Sequence, residues 1–207
     1  MSSIRVAHQV CPTRAEGPFE RCAIWVRGCS LACPGCCNPE LWATEDPSAG
    51  PTTARPTEVS VLLDQLRDQR PTIEGLTLLG GEPLEQLRPL TALAQGAQDL
   101  GLGVLIFTGY TLAEARSLQG FAALWGFIDT LVTGRFHARE LEPSSAAGGR
   151  RFIGSRNQRL HHRSSRYADP ALWRGPNSAE IRIAPDGSVS VHGFPTQARA
   201  LVRRLSR

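Results

Sequence analysis

The chain has 207 residues, 41% of them hydrophobic and 20% charged, the profile of a soluble globular protein with one domain and room for a small appendage. Its net charge of +4 comes with 23 basic residues that are all arginine; lacking lysine, the chain has no Schiff-base amine and no Walker-type phosphate loop. No stretch approaches a secretory h-region or a membrane span, so the expected compartment is the cytoplasm, whose reducing poise suits free thiols and iron–sulfur centres.

Residues 1–21 read as a lead-in, with Pro12 and the turn-like Glu16-Gly17-Pro18. The apolar run Cys22–Val26 is the first predicted strand, and it delivers the chain into Cys29-Ser-Leu-Ala-Cys33-Pro-Gly-Cys36. The stretch 43–56 is rich in Pro, Ser, Thr, Ala and Gly and reads as a loop. From Thr57, a plausible N-cap, Val59, Leu62, Leu63 and Leu66 recur at helical spacing. Leu76–Leu79 is a short buried-type strand running into Gly80-Gly81-Glu82-Pro83, followed by a helix with Leu87, Leu90, Leu93, Ala94 and Ala97 on one face. Val104–Phe107 is the next strand, ending in Thr108-Gly109-Tyr110. Thr111 and Glu114 then have capping-box spacing, and Phe127–Val132 is a further strand. The tail changes rhythm. Glu180–Ile183 and Ser188–Val191 alternate around Pro185-Asp186-Gly187, a hairpin signal. A last segment puts Ala198, Leu201, Val202 and Leu205 on one helix face, with Arg199, Arg203 and Arg204 elsewhere.

Strand–helix alternation predicts parallel βαβ units, hence an α/β fold. The strands are too few for a closed eightfold barrel, so an open partial (β/α) barrel with a C-terminal hairpin and helix is expected. A core over 1–162 and an extension over 163–207 follow. In such folds chemistry gathers at the C-terminal ends of strands, where all three polar motifs fall.

Three thiols within eight residues at C-x3-C-x2-C spacing suit a [4Fe–4S] cluster with one iron left open. Structural zinc competes, because Cys11, Cys22 or Cys37 could each supply a fourth thiolate, although no second C-x2-C pair follows. A disulfide framework is disfavoured in a chain long enough to bury a core without staples. Arg150, Arg151, Arg156, Arg159, Arg163 and Arg166 crowd one stretch with His161 and His162. Without interleaved aromatic platforms this reads as a solvated face, and nucleic acid is not expected.

Glu16–Arg21, Trp25–Cys36 and Asn38–Trp42, with Gly80–Pro83, Phe107–Tyr110, Leu131–Phe136 and Gly154–Gln158, resemble the activating enzymes of anaerobic ribonucleotide reductase. These are small members of the radical S-adenosylmethionine (SAM) superfamily that install glycyl radicals. The resemblance implies that Cys29, Cys33 and Cys36 bind three irons of a [4Fe–4S] cluster whose open iron is chelated by SAM. It implies that Gly80, Gly81, Glu82 and Pro83 meet the methionine moiety, and that Gly35, Cys36 and Cys37 border the nucleotide. Asn157 and Gln158 have suitable ligand chemistry. Position 37 is Cys where the family often has an aromatic or histidine, and its side chain is expected to turn away from that of Cys36. The implied partners are a protein bearing the glycine to be activated and an electron donor of flavodoxin or ferredoxin type. A small-molecule or peptide substrate, and a zinc- or cluster-bearing binding module, are the competing readings.

Overall fold

The computed structural model describes residues 2–45, 56–183, 186–187 and 189–193. In chain order the strands and α-helices are β1 (Ser3–Ile4), β2 (Val6–Thr13), β3 (Arg21–Val26), β4 (Thr57–Glu58), α1 (Val59–Gln69), β5 (Gly75–Gly80), α2 (Leu87–Asp99), β6 (Gly103–Phe107), α3 (Leu112–Ser117), α4 (Phe121–Trp125), β7 (Thr130–Thr133), β8 (Arg159–His162), β9 (Ala179–Ile183) and β10 (Val189–Gly193). The fold is mixed α/β around a six-stranded sheet of order β2-β3-β5-β6-β7-β8. Its middle strands β3, β5, β6 and β7 run parallel, and the edge strands β2 and β8 are antiparallel to their neighbours.

Period-two alternation sorts each parallel strand between two faces. Cys22, Ile24, Val26, Leu76, Leu78, Val104, Ile106 and Leu131 pack under the helices with Leu62, Leu66, Leu90 and Leu93. The opposite face carries Ala23 and Trp25 with Val10 and Leu41, and Leu105 and Val132 with Ile153, Tyr167 and Trp173. No α-helix among the described residues contributes to those two clusters. None is long and apolar enough to cross a membrane.

The predicted middle strands and the first two helices form as expected. The capping box also closes as expected: Thr111 Oγ1 accepts the Glu114 N–H at 3.2 Å, and Glu114 Oε2 accepts the Thr111 N–H at 2.7 Å. The edges differ. The lead-in contains β2, whose register shifts at two places against β3; such bulges break the alternation that would announce a strand. The arginine-rich stretch contains β8, whose Arg159–His162 pairs with β7, a charged edge of the kind that discourages further strand pairing. Thr57 is not the N-cap of α1. It pairs with Ile4, and the cap falls to Glu58, which makes no side-chain cap bond. One disulfide forms, between Cys11 on β2 and Cys22 on β3, because the antiparallel pair brings those side chains together. The hairpin appears as β9 and β10. The expected last helix, and most of the loop at 43–56, lie outside the described residues.

The N-terminal end of the sheet is closed by Arg21, which is 0% exposed. Its Nε donates to Thr77 Oγ1 at 2.7 Å, its Nη1 to the Pro18 carbonyl at 2.8 Å and to Tyr167 Oη at 3.0 Å, and its Nη2 to the Leu76 carbonyl at 3.0 Å. Glu74 supplies the counter-charge at 3.2 Å and accepts Tyr167 Oη–H at 2.6 Å. The Arg21 guanidinium also lies over the Tyr167 ring, 4.8 Å from its centroid. Beneath it, Trp173 Nε1–H donates to the Tyr167 carbonyl at 2.8 Å. Buried charge is tolerated only when paired and fully hydrogen-bonded, and Pro18, Glu74, Leu76, Thr77 and Tyr167 together meet that demand here.

Candidate metal centre

The cysteine loop leaves β3 at the C-terminal end of the parallel strands. Gly28 N–H donates to the Leu41 carbonyl at 2.9 Å and Cys29 N–H to the Trp42 carbonyl at 3.1 Å, so the 38–42 segment forms one wall of the loop. Glu85 forms another: its Oε1 accepts the Ser30 N–H at 2.8 Å and the Ser30 hydroxyl at 2.6 Å. Cys36 N–H turns back to the Cys33 carbonyl at 3.0 Å. Gly35 has φ +78°, and a Cβ there would lie 3.0 Å from Ala138 Cβ, which places the 136–138 segment directly against the loop.

Cys29, Cys33 and Cys36 are half-buried free thiols, and Cys37 is exposed. Burial pushes the Cys29 thiol up. Cys36 is held down to about 6, first by a hydrogen bond from the Cys37 thiol and, against the effect of burial, by the Asn38 N–H and the Trp42 indole. Cys37 is pushed up as the donor of that bond. Its side chain therefore stands beside Cys36 rather than turned away, because the residues follow a tight turn and not an extended strand. Among the described residues no three His, Cys, Asp or Glu side chains converge as one metal ion requires. A cubane makes a different demand, since each thiolate binds its own iron.

The Gly80–Pro83 turn is pressed against the start of the loop. Gly81 N–H donates to the Val26 carbonyl and Glu82 N–H to the Gly28 carbonyl, each at 2.7 Å. Gly80 has φ +111° and its missing Cβ would strike the Val26 backbone; a Cβ on Gly81 would strike the Gly28 carbonyl oxygen. Both glycines thus have a structural reason to lack a side chain, close packing against the cysteine loop. Pro83 and Glu82 are buried, the latter 1% exposed. Glu82 Oε1 accepts the Leu84 N–H at 2.9 Å and the Thr108 hydroxyl at 2.7 Å, and Oε2 accepts the Gly109 N–H at 2.8 Å. Burial pushes Glu82 up to about 7 even so. Its carboxyl fastens the turn after β5 to the turn after β6.

Gln158 is likewise absorbed by backbone. Its Oε1 accepts the Gly154 and Ser155 N–H groups at 2.9 and 3.1 Å, and its Nε2 donates to the Gly134 carbonyl at 3.1 Å. Asn157 Nδ2 donates to the Arg135 carbonyl at 2.8 Å, while its Oδ1 is buried with no hydrogen-bond partner. Two participants escaped the sequence reading. Glu85 carries a signal in retrospect, an acid in the first turn after Gly-Gly-Glu-Pro. Glu16 does not: burial raises it to about 8, countered by the Gly193 N–H and reinforced by Glu180. Near it, on the face without helices, His8 stacks on Trp25 at 4.3 Å, and His192 of β10 lies 6.1 Å from Trp25. The C-terminal hairpin therefore covers part of this face next to the cysteine loop.

The family model described as a 4Fe-4S single cluster domain matches residues 15–161. The anaerobic ribonucleoside-triphosphate reductase-activating protein of Vibrio cholerae is 34% identical over 160 residues, covering 74% of this chain and 96% of that protein. Its Escherichia coli K12 counterpart is 32% identical over 160 residues, covering 75% and 97%. A more partial likeness, 34% over 120 residues, covers 56% of this chain and 47% of the 7-carboxy-7-deazaguanine synthase of Hyperthermus butylicus. With the cysteine loop, the Gly-Gly-Glu-Pro turn and the strand order already in place, these matches show that the chain belongs to the radical SAM family of anaerobic ribonucleoside-triphosphate reductase-activating proteins.

Proposed function

We propose that the chain is a glycyl-radical activating enzyme of radical SAM type, with a sheet that is an open partial (β/α) barrel. The observation that carries this is the pairing of the three-thiol loop with the Gly80–Glu82 turn, locked together through Gly81 N–H to Val26 and Glu82 N–H to Gly28. The residues present fit the group: Cys29, Cys33 and Cys36 are three thiols on one loop outside the disulfide. Cys29, Cys33 and Cys36 would hold a [4Fe–4S] cluster, while Gly35, Cys37, Gly80, Gly81, Glu82 and Pro83 would border SAM. When bound, cluster and SAM supply reductive cleavage of the sulfonium to a 5′-deoxyadenosyl radical that abstracts a hydrogen atom.

The chain's own part is positioning. Glu85 and the 38–42 segment fix the loop backbone, and Glu82 ties two strand ends into one floor beneath it. The face without helices, reached past Trp25, would admit the glycine-bearing segment of a partner protein. A cytoplasmic setting and a flavodoxin- or ferredoxin-like donor complete the proposal, with 1–162 as the catalytic core and 163–207 as an extension. Anaerobic incubation with SAM and a strong reductant should give 5′-deoxyadenosine. Incubation with a candidate partner should add a glycyl-radical doublet in its electron paramagnetic resonance (EPR) spectrum. Absence of 5′-deoxyadenosine from iron-loaded protein would refute the reaction class.

A second reading, action on a small molecule or peptide, draws support from the partial likeness to 7-carboxy-7-deazaguanine synthase and from the hairpin beside Trp25. Cleavage of SAM without any glycyl radical on a partner would favour it.

A further inference from the structure

At the N-terminal end of the parallel strands, opposite the cysteine loop, a cleft of about 720 Å³ opens between the 14–20 turn, the 71–74 turn and the segment through Arg174. That is room for a small molecule. Arg14, Arg151 and Arg174 line it, together with two acids that are already engaged. Glu20 holds Arg14 at 2.6 Å, and Glu74 holds Arg21 at 3.2 Å and Arg166 at 2.6 Å. The half-buried Arg135 and Arg150 elsewhere in the fold likewise each meet a glutamate. Among the described residues Arg151 and Arg174 have no carboxylate partner. Arg151 is half-buried all the same. Its Nη2 donates to the Arg14 carbonyl at 3.2 Å and to Ser178 Oγ at 3.3 Å, and its guanidinium lies 4.4 Å from the centroid of the Phe152 ring. Burial, and then the neighbouring Arg14, work against its charge. Its backbone N–H donates to the Trp173 carbonyl at 2.7 Å, so Arg151 and Arg174 leave adjoining points of the fold. A partly desolvated guanidinium without a counter-charge calls for an anion.

The same cleft presents an aromatic ring in a costly pose. Phe19 has φ +61°, in the left-handed region that disfavours a bulky side chain, and yet it is 50% exposed. Strain held at a cleft, for a ring that buries little in return, points to use by a ligand. The turn cannot relax freely, because the Pro18 carbonyl accepts Arg21 Nη1–H at 2.8 Å. Pro18, Pro71 and Leu172 give the cleft an apolar wall beside its cationic one. We propose that this cleft binds a small molecule joining a planar ring to a phosphate, of nucleoside-phosphate class, with Arg151 and Arg174 on the phosphate and Phe19 stacked on the ring. Guanidinium forks match phosphate geometry, and an aromatic side chain stacks on any base. The site lies at the far end of the sheet from the thiols and does not depend on the iron–sulfur reading.

The test is calorimetric titration of ADP into the full chain, reconstituted anaerobically and saturated with SAM without reductant, so that an adenosyl site beside the cysteines is filled. ADP should bind with a Kd below ~1 mM, and more tightly than adenosine or inorganic phosphate alone. Because Arg151 also braces Arg14 and Ser178, the deciding variants are Arg174→Gln and Phe19→Gly, whose wild-type side chains are exposed. Each should weaken ADP binding about tenfold, through loss of a charge-assisted contact or of a stacked ring. Phe19→Gly, relieved of its backbone strain, should unfold in urea no earlier than wild type. Absence of ADP binding to wild type, affinity no greater than that of inorganic phosphate, or affinity unchanged in either variant would overturn the proposal. Earlier unfolding of Phe19→Gly would also overturn it, by showing that the ring serves the fold.

Discussion

Glu82 and Thr108 stand at the ends of neighbouring strands, and the buried carboxylate accepts the threonine hydroxyl at 2.7 Å. One side chain thereby sets the distance between two turns of the candidate site. The same burial makes it titrate near neutrality, at about 7.

That shift has a sign that can be measured. A carboxyl raised from its ordinary 4.5 to about 7 binds more protons in the folded chain, so its contribution is full below 4.5 and is lost as pH rises through 7. At roughly 1.4 kcal/mol per pKa unit the loss is about 3 kcal/mol. Glu16, held near 8, acts in the same direction. His8, lowered to about 4 by burial and then by His192, acts oppositely between 4 and 6.5, and Cys36 does so above 6. The prediction is therefore placed on a difference. In urea unfolding of the cluster-free chain from pH 4.5 to 8, wild type should lose about 3 kcal/mol relative to Glu82→Gln. Parallel profiles would show that Glu82 is ionised throughout.

Single replacement of Cys29, Cys33 or Cys36 by Ala should abolish the cluster, whereas Cys37→Ala should keep about four irons per chain. Iron content and 5′-deoxyadenosine yield check this. Loss of iron in Cys37→Ala would identify a closed four-thiolate site instead.

Gly81→Ala should lower cluster loading and SAM affinity together. The new Cβ strikes the carbonyl oxygen of Gly28, one residue ahead of Cys29, so the loop itself must shift. A variant with full iron and weakened SAM binding alone would place the methionine, rather than the loop backbone, against this glycine.

Arg21→Leu removes the charge that Glu74, Thr77 and Tyr167 are arranged around. Breaking one side of a buried pair costs about 3–5 kcal/mol. Tyr167→Phe removes one donor and one acceptor and should cost about 1–3 kcal/mol. Chemical denaturation of both variants measures the two losses, and a neutral Arg21→Leu would show that the closed end tolerates apolar filling.

The middle of the sheet was legible because Cys22–Val26, Leu76–Leu79 and Val104–Phe107 are apolar runs between unmistakable turns. The edges were not. The bulges of β2 break its alternation, and β8 is written in arginine and histidine. Within the candidate site, the spacing of Cys29, Cys33 and Cys36 carried the assignment. What spacing cannot convey is where a side chain spends its hydrogen bonds: Gln158 on backbone, and Glu82 on Thr108 and Gly109. The Cys11–Cys22 pair depended on the register of a strand that the sequence concealed.

The family match ends at residue 161, short of Tyr167, whose hydroxyl accepts from Arg21 and donates to Glu74 and whose ring stacks beneath the guanidinium. The stretch through Trp173 therefore serves as a stopper for the sheet's far end, and a chain cut back to the matched length would open a sealed cationic chamber to water. Only past that stopper does the hairpin begin. The closed base and the covered face beside Trp25 are thus built by successive stretches of the same C-terminal segment.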